Sequence, residues 1–203
     1  MITIIDYGVG NIFSLYQSFK AIGADVELTG DFEKIKNSDK IVLPGVGAFG
    51  DAAKILFDTG LANLIKNEVN NGKPLLGICL GMQLLFEKSY EYGEYEGLGL
   101  IKGSVKPIAD VISSDFKIPH IGWNSLTYPN KSRLFETTPE GSFVYFVHSF
   151  YADTPEENII AMTEYGAPLT AAVANENIYG AQFHPEKSGD VGLGILKAFY
   201  ERT

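Results

Sequence analysis

The chain of 203 residues contains one cysteine, and its neighbours are those that a reactive thiol needs. Cys79 lies in Gly77-Ile78-Cys79-Leu80-Gly81, after an apolar run and at the start of a helical pattern. This has the form of a nucleophile elbow, G-x-S-x-G with cysteine in place of serine. A sharp strand-to-helix turn strains the backbone at the nucleophile, and side chains at the flanking positions would collide across it. The free N–H groups and partial positive charge of a helix start favour a thiolate and later an oxyanion. A lone cysteine without that context is more often a buried structural residue. The two glycines reverse those odds.

A thiol nucleophile needs a base to take and return a proton, and the base needs a carboxylate to orient it. Phe183-His184-Pro185-Glu186 supplies both, directly after a strand-like run. Two residues apart in extended backbone, His184 and Glu186 project to the same side. Alone, such a pair is weak evidence, since a surface ion pair has the same spelling. Beside the elbow it completes a candidate triad. His148 lies within an apolar strand and reads as a hydrogen-bonded core histidine, whereas His120, after Pro119, reads as surface or interface. Three scattered histidines and one cysteine give no metal-ligand spacing, and no metal or cofactor is expected.

Gly45-Val46-Gly47-Ala48-Phe49-Gly50 spells G-x-G-x-x-G between a strand and a helix, the form of a dinucleotide fingerprint. It follows the third strand rather than the first, Pro44 removes a donor at the strand end, and the nearest suitable acid, Glu68, falls in a helical stretch. A glycine-rich turn beside the elbow suits an oxyanion better, because its backbone N–H groups can face the developing charge. Asp6-Tyr7-Gly8-Val9-Gly10-Asn11 is a second strand-end glycine loop that can line the same edge.

These residues require a scaffold that brings strand ends together. Apolar runs at 2–5, 25–28, 40–43 and 74–78 alternate with helical patterns at 13–23, 51–71 (broken near Gly60) and 80–88, which predicts βαβ units and a mainly parallel sheet. Strands ending at Leu43 and Ile78 can then be neighbours opening on one crevice. The second half reads as strands at 104–107, 116–118, 125–128, 143–150, 159–164, 170–174 and 178–183, closed by a helix over 189–203. The expectation is a single α/β domain over residues 1–203. Hydrophobic residues make up 45% and charged residues 20%, an ordinary globular composition. The net charge of −9 with scattered basic residues disfavours nucleic acid. The absence of a long apolar run disfavours a membrane span. One cysteine and no signal-like N-terminus point to the cytoplasm.

Pro74-Leu-Leu-Gly-Ile-Cys79-Leu-Gly-Met-Gln83, together with Gln182-Phe-His184-Pro-Glu186-Lys187-Ser188, resembles the class I, triad-type glutamine amidotransferases. The resemblance runs essentially end to end. The loop at 6–11, Leu43-Pro-Gly-Val-Gly47, Pro119-His-Ile-Gly-Trp-Asn124 and Phe146-Val-His-Ser149 narrow it to the branch that serves histidine biosynthesis. The resemblance implies a flavodoxin-like three-layer fold, a mainly parallel central sheet flanked by helices, with added antiparallel strands in the second half. It implies glutamine as substrate, Cys79 as nucleophile, His184 as base, Glu186 as orienter, and a glutamyl thioester that water hydrolyses. By the same token Val46, Gly47 and Leu80 would supply the oxyanion hole, and Gly47, Gln83, Glu91 and Ser149 would hold the substrate. Phe150 departs from the more polar aromatic expected beside them. The branch implies a (β/α)8-barrel cyclase as heterodimer partner, which takes ammonia from the glutaminase and a phosphoribulosyl-formimino carboxamide ribotide. Its interface candidates are Tyr7, Gly8, Asn11, Trp123, Asn124 and Lys187. Another class I glutaminase or a stand-alone γ-glutamyl hydrolase remains open at this point. So does a non-catalytic α/β binding or thiol redox-sensing protein.

Overall fold

The computed structural model describes residues 1–203. Its first half is built of β1 (Ile2–Ile5), α1 (Ile12–Ala21), β2 (Val26–Thr29), α2 (Phe32–Asn37) and β3 (Lys40–Leu43). There follow α3 (Phe49–Asp58), α4 (Leu61–Asn70), β4 (Leu75–Ile78) and the single turn α5 (Leu80–Gln83). The second half adds β5 (Phe86–Ser89), β6 (Tyr95–Glu96), β7 (Ile101–Pro107), β8 (His120–Ser125), β9 (Phe143–His148) and β10 (Phe150–Asp153). It ends with β11 (Ile159–Glu164), β12 (Pro168–Asn175), β13 (Ile178–Ala181) and α6 (Gly189–Arg202).

The main sheet has the order β11-β12-β13-β4-β3-β1-β2. From β13 to β2 all neighbours are parallel, and β11 and β12 extend the sheet antiparallel. β1 and β4 are buried along their whole length, as parallel strands covered on both faces must be. Alternate side chains feed two cores. Ile5, Ile41, Leu43 and Leu75 pack on the α3 and α4 side. Ile2, Ile4, Val42, Leu76 and Ile78 pack with Leu15 and Phe19 of α1 and with Leu196 and Phe199 of α6. The three layers follow from that alternation. Gly23 (φ +78°) ends the α1 segment and Gly60 (φ +80°) separates α3 from α4, where glycine allows a left-handed turn.

The register explains the convergence of the site. Leu43 lies opposite Gly77, and Ile78 opposite Ala181. The chain leaving β4 at Cys79 is therefore flanked by the chain leaving β3 and the chain leaving β13. A second sheet, ordered β10-β7-β5-β6, and the β8–β9 ribbon complete the molecule.

Four sequence readings are corrected. The helix expected over 80–88 stops after one turn, because Phe86 is fully buried and β5 pairs with β7 and β6. Residues 116–118 form no strand, and Phe116 and Ile118 are exposed. The strand expected at 125–128 lies earlier, as β8, held in register from His120 opposite His148 to Ser125 opposite Phe143. The strand expected over 143–150 is two, β9 and β10. The short α2 was not expected at all. It is nucleated by Asp31, whose carboxylate accepts from Lys34 N at 3.0 Å, and it buries only Ile35.

Candidate active site

Cys79 occupies the turn between β4 and α5 with φ 54° and ψ −112°, a conformation costly for any residue with a side chain. Close packing imposes it. A Cβ on Gly81 would lie 1.9 Å from Leu43 O, and one on Gly77 would lie 2.6 Å from Gly81 O. Both glycines of the elbow are therefore steric necessities. A Cβ on Gly45 would lie 2.9 Å from both Gly81 N and Leu80 Cβ, so the glycine loop after β3 rests directly on the thiol turn.

His184 leaves β13 in extended conformation, but Pro185–Lys187 forms a 3-10 turn. The turn, rather than extended alternation, brings Glu186 Oε1 to 2.8 Å from His184 Nδ1. Both side chains are nearly inaccessible, at 3% each. Ser188 fastens the base from behind, donating to His184 O at 2.6 Å and accepting from Tyr145 N at 3.0 Å. Burial pushes the His184 pKa down, but the thiol and Glu186, through hydrogen bonding and charge, outweigh it and hold the imidazole up at about 10. With Nδ1 taken by Glu186, Nε2 is the nitrogen left to face Cys79, and it is buried without a hydrogen-bond partner.

A cavity of about 290 Å³ opens beside the thiol. Val46, Gly47, Leu80, Gln83, Glu91, Ser149 and His184, all singled out in the sequence, line it with Cys79. Tyr92, Phe150 and His148 line it as well. Glu91 also caps α3, its Oε2 accepting from Phe49 N at 2.6 Å. Burial, the dominant effect, raises its pKa.

Gln83 is buried, and its amide donates to Gln182 Oε1 at 3.0 Å and Phe150 O at 3.3 Å. Gln182 in turn donates to Cys79 Sγ at 3.8 Å. Gln182 was missed as a site residue, although it stands two positions before His184 on the same strand-end face. Ser188 was missed too, since a serine opening a helix reads as a cap. His148 is the buried, hydrogen-bonded histidine expected, with Nδ1 2.8 Å from Phe150 O and Nε2 3.0 Å from His120 Nδ1. His120 is buried rather than exposed, stacked between Phe146 and Tyr165. Burial lowers both histidines, to about 3 and about 4 respectively.

Of the residues expected at a partner interface, Trp123 is 55% exposed on β8 and meets Tyr145 edge-on. Lys187 is exposed, with its ammonium 5.7 Å from the centre of the Tyr145 ring. Gly8 is exposed and Asn11 half-buried. Asn124 donates to Glu164 O at 2.8 Å. Tyr7 is corrected. It is buried, and its hydroxyl donates to Pro44 O at 2.8 Å.

A parallel α/β sheet with a thiol in a left-handed turn at its carboxyl edge, facing a buried His–Glu pair, defines a cysteine-nucleophile enzyme. The sequence model of class I glutamine amidotransferases matches residues 3–202. The chain belongs to the class I glutamine amidotransferase family. It is 49% identical over 202 residues to "Imidazole glycerol phosphate synthase subunit HisH" of Caldanaerobacter subterraneus subsp. tengcongensis, covering 99% of this chain and 98% of that relative. A Bacillus cereus protein of the same name is 50% identical over 199 residues, covering 98% and 93%. Among solved structures, a crystal structure of a glutamine amidotransferase superposes with TM-score 0.75 at 17% identity, covering 98% of this chain and 99% of that one. PurLQS from Thermotoga maritima gives 0.74 at 21%, covering 98% and 96%. At those identities the likeness concerns the fold. No helix is long and apolar enough to cross a membrane.

Proposed function

We propose that residues 1–203 act as one domain, the glutaminase subunit of an imidazole glycerol phosphate synthase. The domain hydrolyses glutamine and passes ammonia to a (β/α)8-barrel cyclase subunit. The observation that carries the chemistry is the buried His184–Glu186 pair set against the only thiol, at the wall of a cavity. The end-to-end kinship with synthase subunits supports the branch.

In this reading Cys79 Sγ attacks the side-chain amide carbon of glutamine. His184 Nε2 takes the thiol proton and returns one to the departing ammonia, while Glu186 orients the ring and stabilises its protonated form. The Leu80 amide and the backbone of Val46 and Gly47 stabilise the tetrahedral oxyanion. Gln83 supports the thiol side through Gln182, and Glu91 and Ser149 hold the amino-acid end of the substrate. His184 then activates the water that cleaves the thioester and releases glutamate. The partner docks over Gly8, Asn11, Trp123, Asn124 and Lys187, so that ammonia passes inside the assembly.

The test is glutamate release from glutamine by the chain alone, then with the cyclase and its ribotide ligand. We expect low activity alone and a large rise with the liganded partner. High activity alone points to a stand-alone hydrolase, and an unchanged rate with the partner removes the branch assignment. Residual turnover in Cys79→Ala defeats the mechanism.

A further inference from the structure

The loop after β1 meets the glycine loop after β3, and the Tyr7 side chain joins them. Tyr7 is buried between two exposed neighbours, Asp6 and Gly8. Its hydroxyl donates to Pro44 O at 2.8 Å, on the peptide that begins the glycine loop. A Cβ on Gly45 would lie 3.1 Å from that hydroxyl oxygen, and 2.9 Å from Gly81 N and Leu80 Cβ. Phenol, loop backbone and thiol turn therefore lie in one close-packed stack.

We infer that Tyr7 is a positioning residue for glutamine hydrolysis, its hydroxyl fixing the base of the loop whose Val46 and Gly47 backbone faces the oxyanion. The inference rests on the glutaminase reading above.

The loop is held at both ends and free between them. Upstream, the Pro44 carbonyl is bound by Tyr7, and a Cβ on Gly10 would lie 3.2 Å from Pro44 Cβ, so backbone closes on the proline ring from that side. Downstream, Phe49 N is bound by Glu91. Val46, Gly47 and Ala48 are exposed, and nothing lies within 4 Å of where a Gly47 Cβ would stand. A short segment with an unsupported middle places its amides only as accurately as its ends are fixed. An oxyanion donor is effective only when it is preorganised at the place where charge develops. The phenol suits that task because it stays a donor. Burial first, and then the nearby Cys79 charge, push its ionisation far above neutral pH. With its proton committed to Pro44 O, Tyr7 acts through the loop and not on the substrate.

Tyr7→Phe keeps the ring packing and deletes one hydrogen bond. Measured on the full chain, with and without the liganded cyclase, it is expected to lower kcat about tenfold, the scale of a small misplacement of a catalytic group. KM should stay within about twofold, as for an interaction made in the transition state. Hydrogen exchange should quicken in residues 44–49 and stay unchanged in β4 and β13. Alkylation of Cys79 by iodoacetamide, which builds no oxyanion, should keep its wild-type rate. The inference falls if kcat is unchanged or raised, if KM carries the loss, or if exchange at 44–49 does not move. It falls equally if iodoacetamide labelling slows in step with turnover, or if exchange quickens throughout the sheet, since either marks a structural role. A wild-type chain that releases no glutamate with or without the partner removes the glutaminase reading instead, and the exchange comparison still decides whether Tyr7 holds the loop.

Discussion

At the scale of single residues, His184 is the group in the site most strongly perturbed by charge. Burial alone would drive its pKa below the ordinary histidine value, yet the imidazole is held at about 10 by Cys79 and Glu186. The Cys79 contribution is separable. In Cys79→Ala burial remains and the side chain that raises the imidazole is gone, so the imidazole should titrate below its wild-type position. Histidine ring NMR between pH 5 and 11 measures this directly, and a His184 midpoint still near that of the wild type would show that the thiol does not set it. The linkage has a definite sign. A histidine raised in the folded state stabilises the fold fully below its unfolded pKa of about 6.5. That stabilisation is lost as pH rises through about 10. Wild-type denaturant midpoints should therefore fall across this window more steeply than those of Cys79→Ala. The triad itself was legible in the sequence because elbow glycines and a His-x-Glu pair are local spellings. Gln182 was not legible as a donor to Sγ, because that contact joins positions 103 apart in the chain.

At the scale of elements, two glycines near the thiol separate packing from function. Gly81 bears the closest backbone approach in the molecule's reactive turn, 1.9 Å from a hypothetical Cβ to Leu43 O. Gly81→Ala must push β3 and α5 apart and should cost about 3 kcal/mol or more, read as a large drop in denaturant midpoint. Gly47 has a left-handed φ of +96° but open space around it. Gly47→Ala should therefore cost only the backbone strain of about 1–2 kcal/mol, while glutamate release drops further than stability. Equal stability losses in the two variants would refute the distinction. The same turn marks where sequence reading ran out. Over 80–88 the residues allow a helix, and local preference gave no reason to stop it. What stops it is pairing of β5 to β7 in register Phe86 with Ile101, a partnership across a loop that local pattern cannot reveal. The parallel half of the sheet was readable because wholly buried strands are continuous apolar runs bounded by turns. β8 was misplaced because His120 and Asn124 break the apolar pattern of a strand whose side chains are half inward and half outward.

At the scale of the whole molecule, the edge that carries the thiol is also where unpartnered apolar surface gathers. Ile118, Ile121 and Trp123, on and just before β8, are 44%, 58% and 55% exposed, and Val46 in the glycine loop is 42% exposed. Exposed aliphatic side chains around a large aromatic resemble the centre of a protein interface with an aromatic anchor. If the cyclase docks there, Trp123→Ala removes the largest anchor and should weaken association by about 2 kcal/mol, roughly 30-fold in Kd. The variant's own thermal midpoint should scarcely move, because the indole's one aromatic neighbour is Tyr145, met edge-on at 6.1 Å. Phe57→Ala, on exposed α3 surface away from the thiol cavity, is the matched control and should leave Kd unchanged. Titrating each variant with liganded cyclase while following glutamate release separates binding from chemistry. Trp123→Ala should regain most of the wild-type maximum once the partner saturates it. An unchanged Kd would move the docking face elsewhere, and activation that stays lost at saturation would assign Trp123 a task beyond anchoring.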